Sequence, residues 1–173
     1  MMLDCGCPGE YPDWHNQDIN LGGFSTHTLG IPMLFNMPLA YAAYLKRQQH
    51  SIQQLELPER WPGLVLTKAG FFRGKIIRLL EKNSSLSSDV STLEHPFHVR
   101  AWLHEGNLST ARDAIRQVQM SLLDSGQLPG TLYLCYLTCP YCSEQRGGDK
   151  LFLLRRWKKS KKLEQRLAKK KSV

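Results

Sequence analysis

The feature that most constrains this chain is an apolar, β-rich run that enters a cysteine cluster and leaves through two glycines into a second apolar run. It spans residues 132–156, LYLCYLTCPYCSEQRGGDKLFLLRR. Strand-forming residues on both sides of a Cys/Pro/Gly-rich loop predict a hairpin, with strands at residues 131–138 and 150–157. The loop presents Cys135-x3-Cys139-x2-Cys142, three of the five cysteines in the chain.

The segments before the hairpin extend the pattern. Residues 95–105, HPFHVRAWLHE, alternate with period two. Phe97, Val99, Ala101 and Leu103 share one face, and His98, Arg100, Trp102 and His104 share the other. Residues 109–125 read as an amphipathic helix, with Leu108, Ala111, Ile115, Val118 and Leu122 three and four apart, and Gly126 placed for a left-handed C-cap. The first half repeats the order. It has a short strand at 24–29, a helix from near Pro38, and strands at 64–68 and 71–81. A polar serine-rich linker, 83–91, joins the halves.

This order predicts an α+β fold of tandem β-α-β-β repeats, 24–82 and 95–157, within a single domain of residues 24–157. The two halves pair into one antiparallel sheet, with both helices on one face and a ligand groove on the other. If the face of Phe97 packs under the helices, His98, Arg100, Trp102 and His104 line that groove as ligand-binding residues. Residues 1–23 form an irregular N-terminal arm, which Trp14-His15 can clamp to the body. Residues 158–173 form a basic C-terminal tail.

A length of 173 residues suits one core, and 42% hydrophobic with 22% charged residues is the composition of a soluble globular protein. No window approaches the ~18 to 20 apolar residues of a membrane span. The N-terminus lacks the basic and apolar regions of a signal peptide, so a cytoplasmic, reducing environment is expected, in which paired cysteines signal metal or redox chemistry rather than disulfides. The formal charge is +8, yet residues 155–171 hold ten basic residues and one acidic, so the basicity belongs to the tail. Such a tail is either a solvated helix or a contact for nucleic acid or another anionic surface.

Residues 103–140, LHEGNLSTARDAIRQVQMSLLDSGQLPGTLYLCYLTCP, resemble the second repeat of GyrI-like (gyrase-inhibitor-like) small-molecule-binding domains. There a strand ends in Gly, an amphipathic helix ends in a Gly-x-x-Pro-like turn, and the next strand closes with an aspartate-proline pair. The resemblance implies an effector-binding or stand-alone binding domain, with some members acting as hydrolases of small electrophiles. Members that take cationic compounds are associated with a carboxylate in an aromatic-lined groove; Glu105 and Glu144 are the nearest acids, neither on a clear groove-facing register. Cys139 stands where the pattern has aspartate before Pro140, and the cysteine loop and cysteine-bearing arm go beyond it.

The cysteine spacing fits three chemistries unequally. As a radical S-adenosylmethionine cluster it lies too late, because only 31 residues follow Cys142. As a glutaredoxin-like Cys-Pro-Tyr-Cys it lacks the helix whose dipole would lower the first thiol's pKa. As a zinc knuckle it needs two more ligands, which Cys5 and Cys7 supply. The expectation is a structural zinc held by Cys5, Cys7, Cys139 and Cys142 that staples the arm to the sheet, the alternative being unligated thiols; Cys135 is a core residue. An enzyme reading would use a groove histidine, or Cys139 and Cys142 as reactive thiols, in a small hydrolase or thiol-dependent reaction. A Ser25, His27, Asp18 triad lacks a nucleophile elbow.

Overall fold

The computed structural model describes residues 1–81 and 85–171. The expected linker and the end of the tail therefore lie partly outside the described residues. The elements are β1 (Gln17–Asn20), β2 (Ser25–Leu34), β3 (Met37–Pro38), α1 (Tyr41–Gln54), β4 (Val65–Lys68), β5 (Arg73–Leu80), β6 (Val90–Thr92), β7 (His98–Glu105), α2 (Arg112–Asp124), β8 (Gln127–Tyr136), β9 (Lys150–Lys159) and α3 (Lys161–Lys171). Short 3-10 turns at Leu108–Thr110 and Glu144–Arg146 precede α2 and β9.

The described strands form one antiparallel sheet in the order β1-β7-β9-β8-β4-β5-β2-β3, with β6 pairing β2. Two equivalent units are visible in that order, β2-α1-β4-β5 and β7-α2-β8-β9. They join at the centre through β4 and β8, where Thr67 pairs with Leu134 and Lys68 with Tyr133. The α+β class and the repeat order follow the sequence pattern. Strands β1 and β6 were not expected, and Pro38 closes β3 instead of opening the helix. α1 begins at Tyr41 after Ala40 in a left-handed conformation, φ 50°, and α2 ends at Asp124, with Gly126 following the Ser125 cap at φ 73°.

Both faces of the sheet are buried. On one face α2 sets Val118 and Leu122 against Trp157, and Ala111 against Leu134, Leu151 and Leu153. α1 covers the same face over Ile31, Met33, Val65 and Ile76. Burying such side chains stabilises by about 1.5–3 kcal/mol each.

The other face carries Leu64, Leu66, Ile77, Leu79, Phe97, Val99, Ala101, Tyr133, Cys135, Phe152 and Leu154. The arm covers it. Trp14 and Leu21 are buried there, Tyr11, Ile19 and Phe24 pack beside them, and Trp14 meets Trp61 edge to face at 4.8 Å. The expected assignment of faces is thus reversed: Phe97, Val99 and Ala101 point toward the arm, and Trp102 lies on the helix side. Residues 158–171 complete β9 and form α3, with Glu164 packed at Gly126.

Candidate metal centre and cavity

Two turns make the cysteine knot. Between Cys5 and Cys7, Gly6 adopts φ 85°, a conformation costly for any residue with a Cβ. The turn is closed by Gly6 N–H to the Leu3 carbonyl at 2.8 Å and Leu3 N–H to the Cys7 carbonyl at 2.9 Å. In the second turn, Cys142 N–H and Ser143 N–H both donate to the Cys139 carbonyl at 3.0 Å, and Cys139 N–H reaches Cys142 Sγ at 3.3 Å.

The turns meet face to face, and the sulfurs of Cys5, Cys7, Cys139 and Cys142 all lie within 4.8 Å of one another. Cys139 Sγ and Cys142 Sγ are 3.9 Å apart, close to the ~3.8 Å between ligands of a tetrahedron with Zn–S near 2.3 Å. Burial drives the Cys7 thiol well above its ordinary pKa, and the neighbouring thiols add to the rise. Cys139 shifts the other way: burial raises it, but the backbone N–H groups of Tyr141 and Cys142 and the Cys7 and Cys5 thiols together outweigh that and lower it. The donor set fits one soft divalent ion bound as thiolates. Cys135 sits apart, fully buried within β8.

The knot has a second fastening. Arg146 donates to the Pro8 carbonyl at 2.8 Å and the Leu137 carbonyl at 3.0 Å, with its guanidinium over the Tyr11 ring. Gly63, φ 85°, lies under the arm where a Cβ would come within 2.8 Å of Pro8 N and 2.9 Å of the Cys7 carbonyl carbon.

Beside the knot is a cavity of about 540 Å³. Tyr41, Ala42 and Leu45 of α1 form one wall, Val65 and Tyr136 of the sheet its base, and Cys5, Cys7 and Cys139 another side. It therefore opens on the helix face, not on the opposite face where a groove was expected. Tyr41 and Tyr136 meet edge to face at 5.7 Å, and the Tyr41 hydroxyl is tied to Thr67 Oγ1 at 2.6 Å. Burial pushes the pKa of both tyrosines up, so the wall is neutral. Asp4, Lys46 and Arg78 bring charge to the lining.

Arg78 is the end of a buried polar chain. Its Nη1 donates to Glu59 at 2.9 Å and to Gln49 at 2.6 Å, while its Nε donates to Gln48 Oε1 at 3.2 Å. Gln48 Nε2 in turn donates to the carbonyls of His27 and Ile76, and His27 Nε2 bonds Ser51 Oγ at 3.0 Å. This network was not anticipated from the sequence. Gln48 sits on the apolar face of α1 and Arg78 interrupts an apolar strand run, which is the one signal that a buried polar pair was present.

The expected groove residues are placed elsewhere, each with an intramolecular partner. His98 stacks on Trp157 at 4.6 Å. Arg100 forms a two-pronged pair with Asp18 at 2.7 and 2.8 Å and reaches Ser121 and Gln127. Trp102 packs under α2 and against the His15 ring at 4.7 Å. His104 bonds Thr110. None of the four lines the cavity, and Glu105 and Glu144 are exposed outside it. Asp18 is engaged with Arg100 at one edge of the sheet, and His27 lies near the other, so Ser25, His27 and Asp18 form no triad.

Fold and site together define an α+β domain of paired repeats with a cavity flanked by a four-cysteine knot. No protein-family model matches the chain, and no curated protein matches it by sequence. Solved structures match its fold. The crystal structure of the EcmrR C-terminal domain aligns with TM-score 0.57 at 10% identity, covering 83% of this chain and 96% of that one. EcmrR in its DNA complex in EcmrR-RPo aligns with TM-score 0.56 at 9% identity, covering 83% of this chain, which spans 56% of that one. The expected GyrI-like membership is therefore not supported: the chain shares its fold with the EcmrR C-terminal domain and matches no GyrI-like family model. Among the described residues no helix is long and apolar enough to cross a membrane.

Proposed function

We propose that this chain is a small-molecule-binding domain whose ligand enters the cavity between α1 and the cysteine knot, with zinc in the knot as a structural ion. The observation that carries the reading is the cavity itself: about 540 Å³, walled by tyrosines and aliphatic side chains, and closed on one side by the knot's own residues. That size and lining suit a compact, largely apolar compound with few polar groups. The fold likeness to the EcmrR C-terminal domain is compatible with a binding role.

Zinc would be held by Cys5, Cys7, Cys139 and Cys142, and with four protein ligands it would fix structure, leaving no open position for substrate. Its contribution is to lock residues 1–9 in place as a cavity wall. The same thiols, once ligated, are withdrawn from nucleophilic or redox chemistry, which favours binding over a thiol-dependent enzyme.

Fluorescence titration of the metal-loaded chain with anilinonaphthalene sulfonate, and in parallel with the cationic dye ethidium, tests the site. Saturable binding of either dye that is lost in Ala42→Trp, which fills the mouth beside Tyr41, supports the cavity. Unchanged binding of both in that folded variant refutes it.

A further inference from the structure

Two hairpin tips carry exposed apolar side chains that neither the cavity wall nor the knot employs. The β2–β3 turn at Phe35-Asn36 and the β4–β5 turn at residues 69–72 lie side by side, because β5 pairs with both β2 and β4. Phe35 and Phe71 meet edge to face at 5.0 Å, and Phe71 meets Phe72 at 4.6 Å. Phe35, Phe72 and Met37 are 64%, 65% and 70% exposed, with Leu34, Leu39 and Phe71 exposed around them. Single exposed hydrophobics are ordinary, but six clustered at two adjoining tips mark a contact surface.

The cluster is held in place at some conformational cost. Phe35 and Asn36 both have positive φ, 48° and 67°, as a two-residue primed hairpin turn requires, and a bulky aromatic is disfavoured there. Such strain persists where the surroundings fix it, and often marks function. Here Met33 N–H donates to the Phe72 carbonyl at 2.9 Å and Gly70 N–H to Met33 sulfur at 3.3 Å, tying the two tips together.

Charge selects the occupant. Residues 30–55 and 63–80 contain no acidic residue, and Lys68, Arg73 and Lys75 stand exposed beside the aromatic tip. Strand register adds more positive charge at the same end of the sheet. Lys68 pairs with Tyr133 of β8, and Leu128, earlier on β8, pairs with Lys158 of β9. The end of β9 and the basic α3 that follows therefore emerge on the side toward which β4 points. A second copy meeting this face would set like charges against each other. An anionic bilayer satisfies both halves of the surface: apolar side chains enter the boundary between headgroups and acyl chains, and lysines and arginines meet the lipid phosphates and carboxylates.

We propose that the Phe35, Phe71 and Phe72 tip docks this chain on an anionic phospholipid surface without crossing it, with Lys68, Arg73 and Lys75 engaging the headgroups. Co-sedimentation of the full chain with phosphatidylcholine vesicles, with and without phosphatidylserine, tests this. Binding is expected only when phosphatidylserine is present. It weakens in high salt and falls roughly tenfold or more in Phe71→Ser/Phe72→Ser with unchanged thermal melting. In Phe72→Trp, the added emission moves to shorter wavelength on the anionic vesicles; this readout decides the matter if the double serine variant melts early. Equal binding to neutral vesicles, or equal binding by the double variant and the parent, overturns the proposal. So does a dimer abolished by the double variant, which assigns the tip to a second copy, or oligonucleotide binding lost in that variant without any vesicle binding, which assigns it to nucleic acid.

Discussion

The guanidinium of Arg78 and the carboxylate of Glu59 meet at 2.9 Å beneath the cavity, their side chains only 3% and 6% exposed. Removing one partner of such a pair leaves the other charge buried and unmatched. Glu59→Gln is expected to destabilise the fold by about 3–5 kcal/mol in denaturant unfolding, while Arg78→Met/Glu59→Leu together restores only part of the loss, because Gln48 and Gln49 also lose their donor. Additive losses in the double variant would show that the two residues do not act as a pair.

Purified protein is expected to carry about one zinc per chain through dialysis, measured by atomic emission. Cys7→Ser and Cys139→Ser, from opposite ends of the chain but in one cluster, should each lose the metal and lower stability by roughly 3 kcal/mol. Cys135→Ser should keep the metal, since that thiol lies outside the cluster. Iron with visible absorption in place of zinc would reassign the ion while retaining the ligands.

His27 gives the fold a pH response. Burial lowers its pKa below the ordinary 6.5, with Arg78 lowering it further and Asp89 and Glu59 opposing. The unfolded chain therefore takes up a proton that the folded chain resists, so this contribution to stability is whole above about pH 6.5 and declines as pH falls below it. The urea midpoint of metal-free protein should drop between about pH 7.5 and about pH 5.5, and drop less in His27→Gln. An equal drop in both would remove His27 as the source.

Trp102→Ala distinguishes the two placements of that face. Trp102 packs between α2 and the His15 ring, so the variant is expected to lose about 2–4 kcal/mol of stability with dye binding in the cavity retained. Loss of dye binding with stability unchanged would return the ligand site to the His98, Arg100, Trp102 and His104 face.

Much of the fold was legible in the sequence because it rests on local signals. The 3.6-residue stripe of Val118 and Leu122, the left-handed Gly126 and the period-two run from Phe97 to Leu103 each report a single element. The pairing of Cys5 and Cys7 with Cys139 and Cys142 was also legible, because thiolates at knuckle spacing want four ligands and the arm held the remaining close pair. The edge strand β1 was not, since Gln17–Asn20 has no apolar period and gains its strand form only by pairing with β7.

What the sequence determined by itself was the order of elements within the two repeats and the candidate grouping of four cysteines, which follow from periodicity and ligand chemistry along the chain. Which face of β7 meets the helices was decided only by the tertiary structure. Alternation separates two faces, but it cannot say which one is covered by helices when the arm covers the other; Val99 and Ala101 are buried under the arm, and Trp102 under α2. The cavity was decided there too, because it exists only where residues 1–9, α1 and the end of β8 converge from distant parts of the chain.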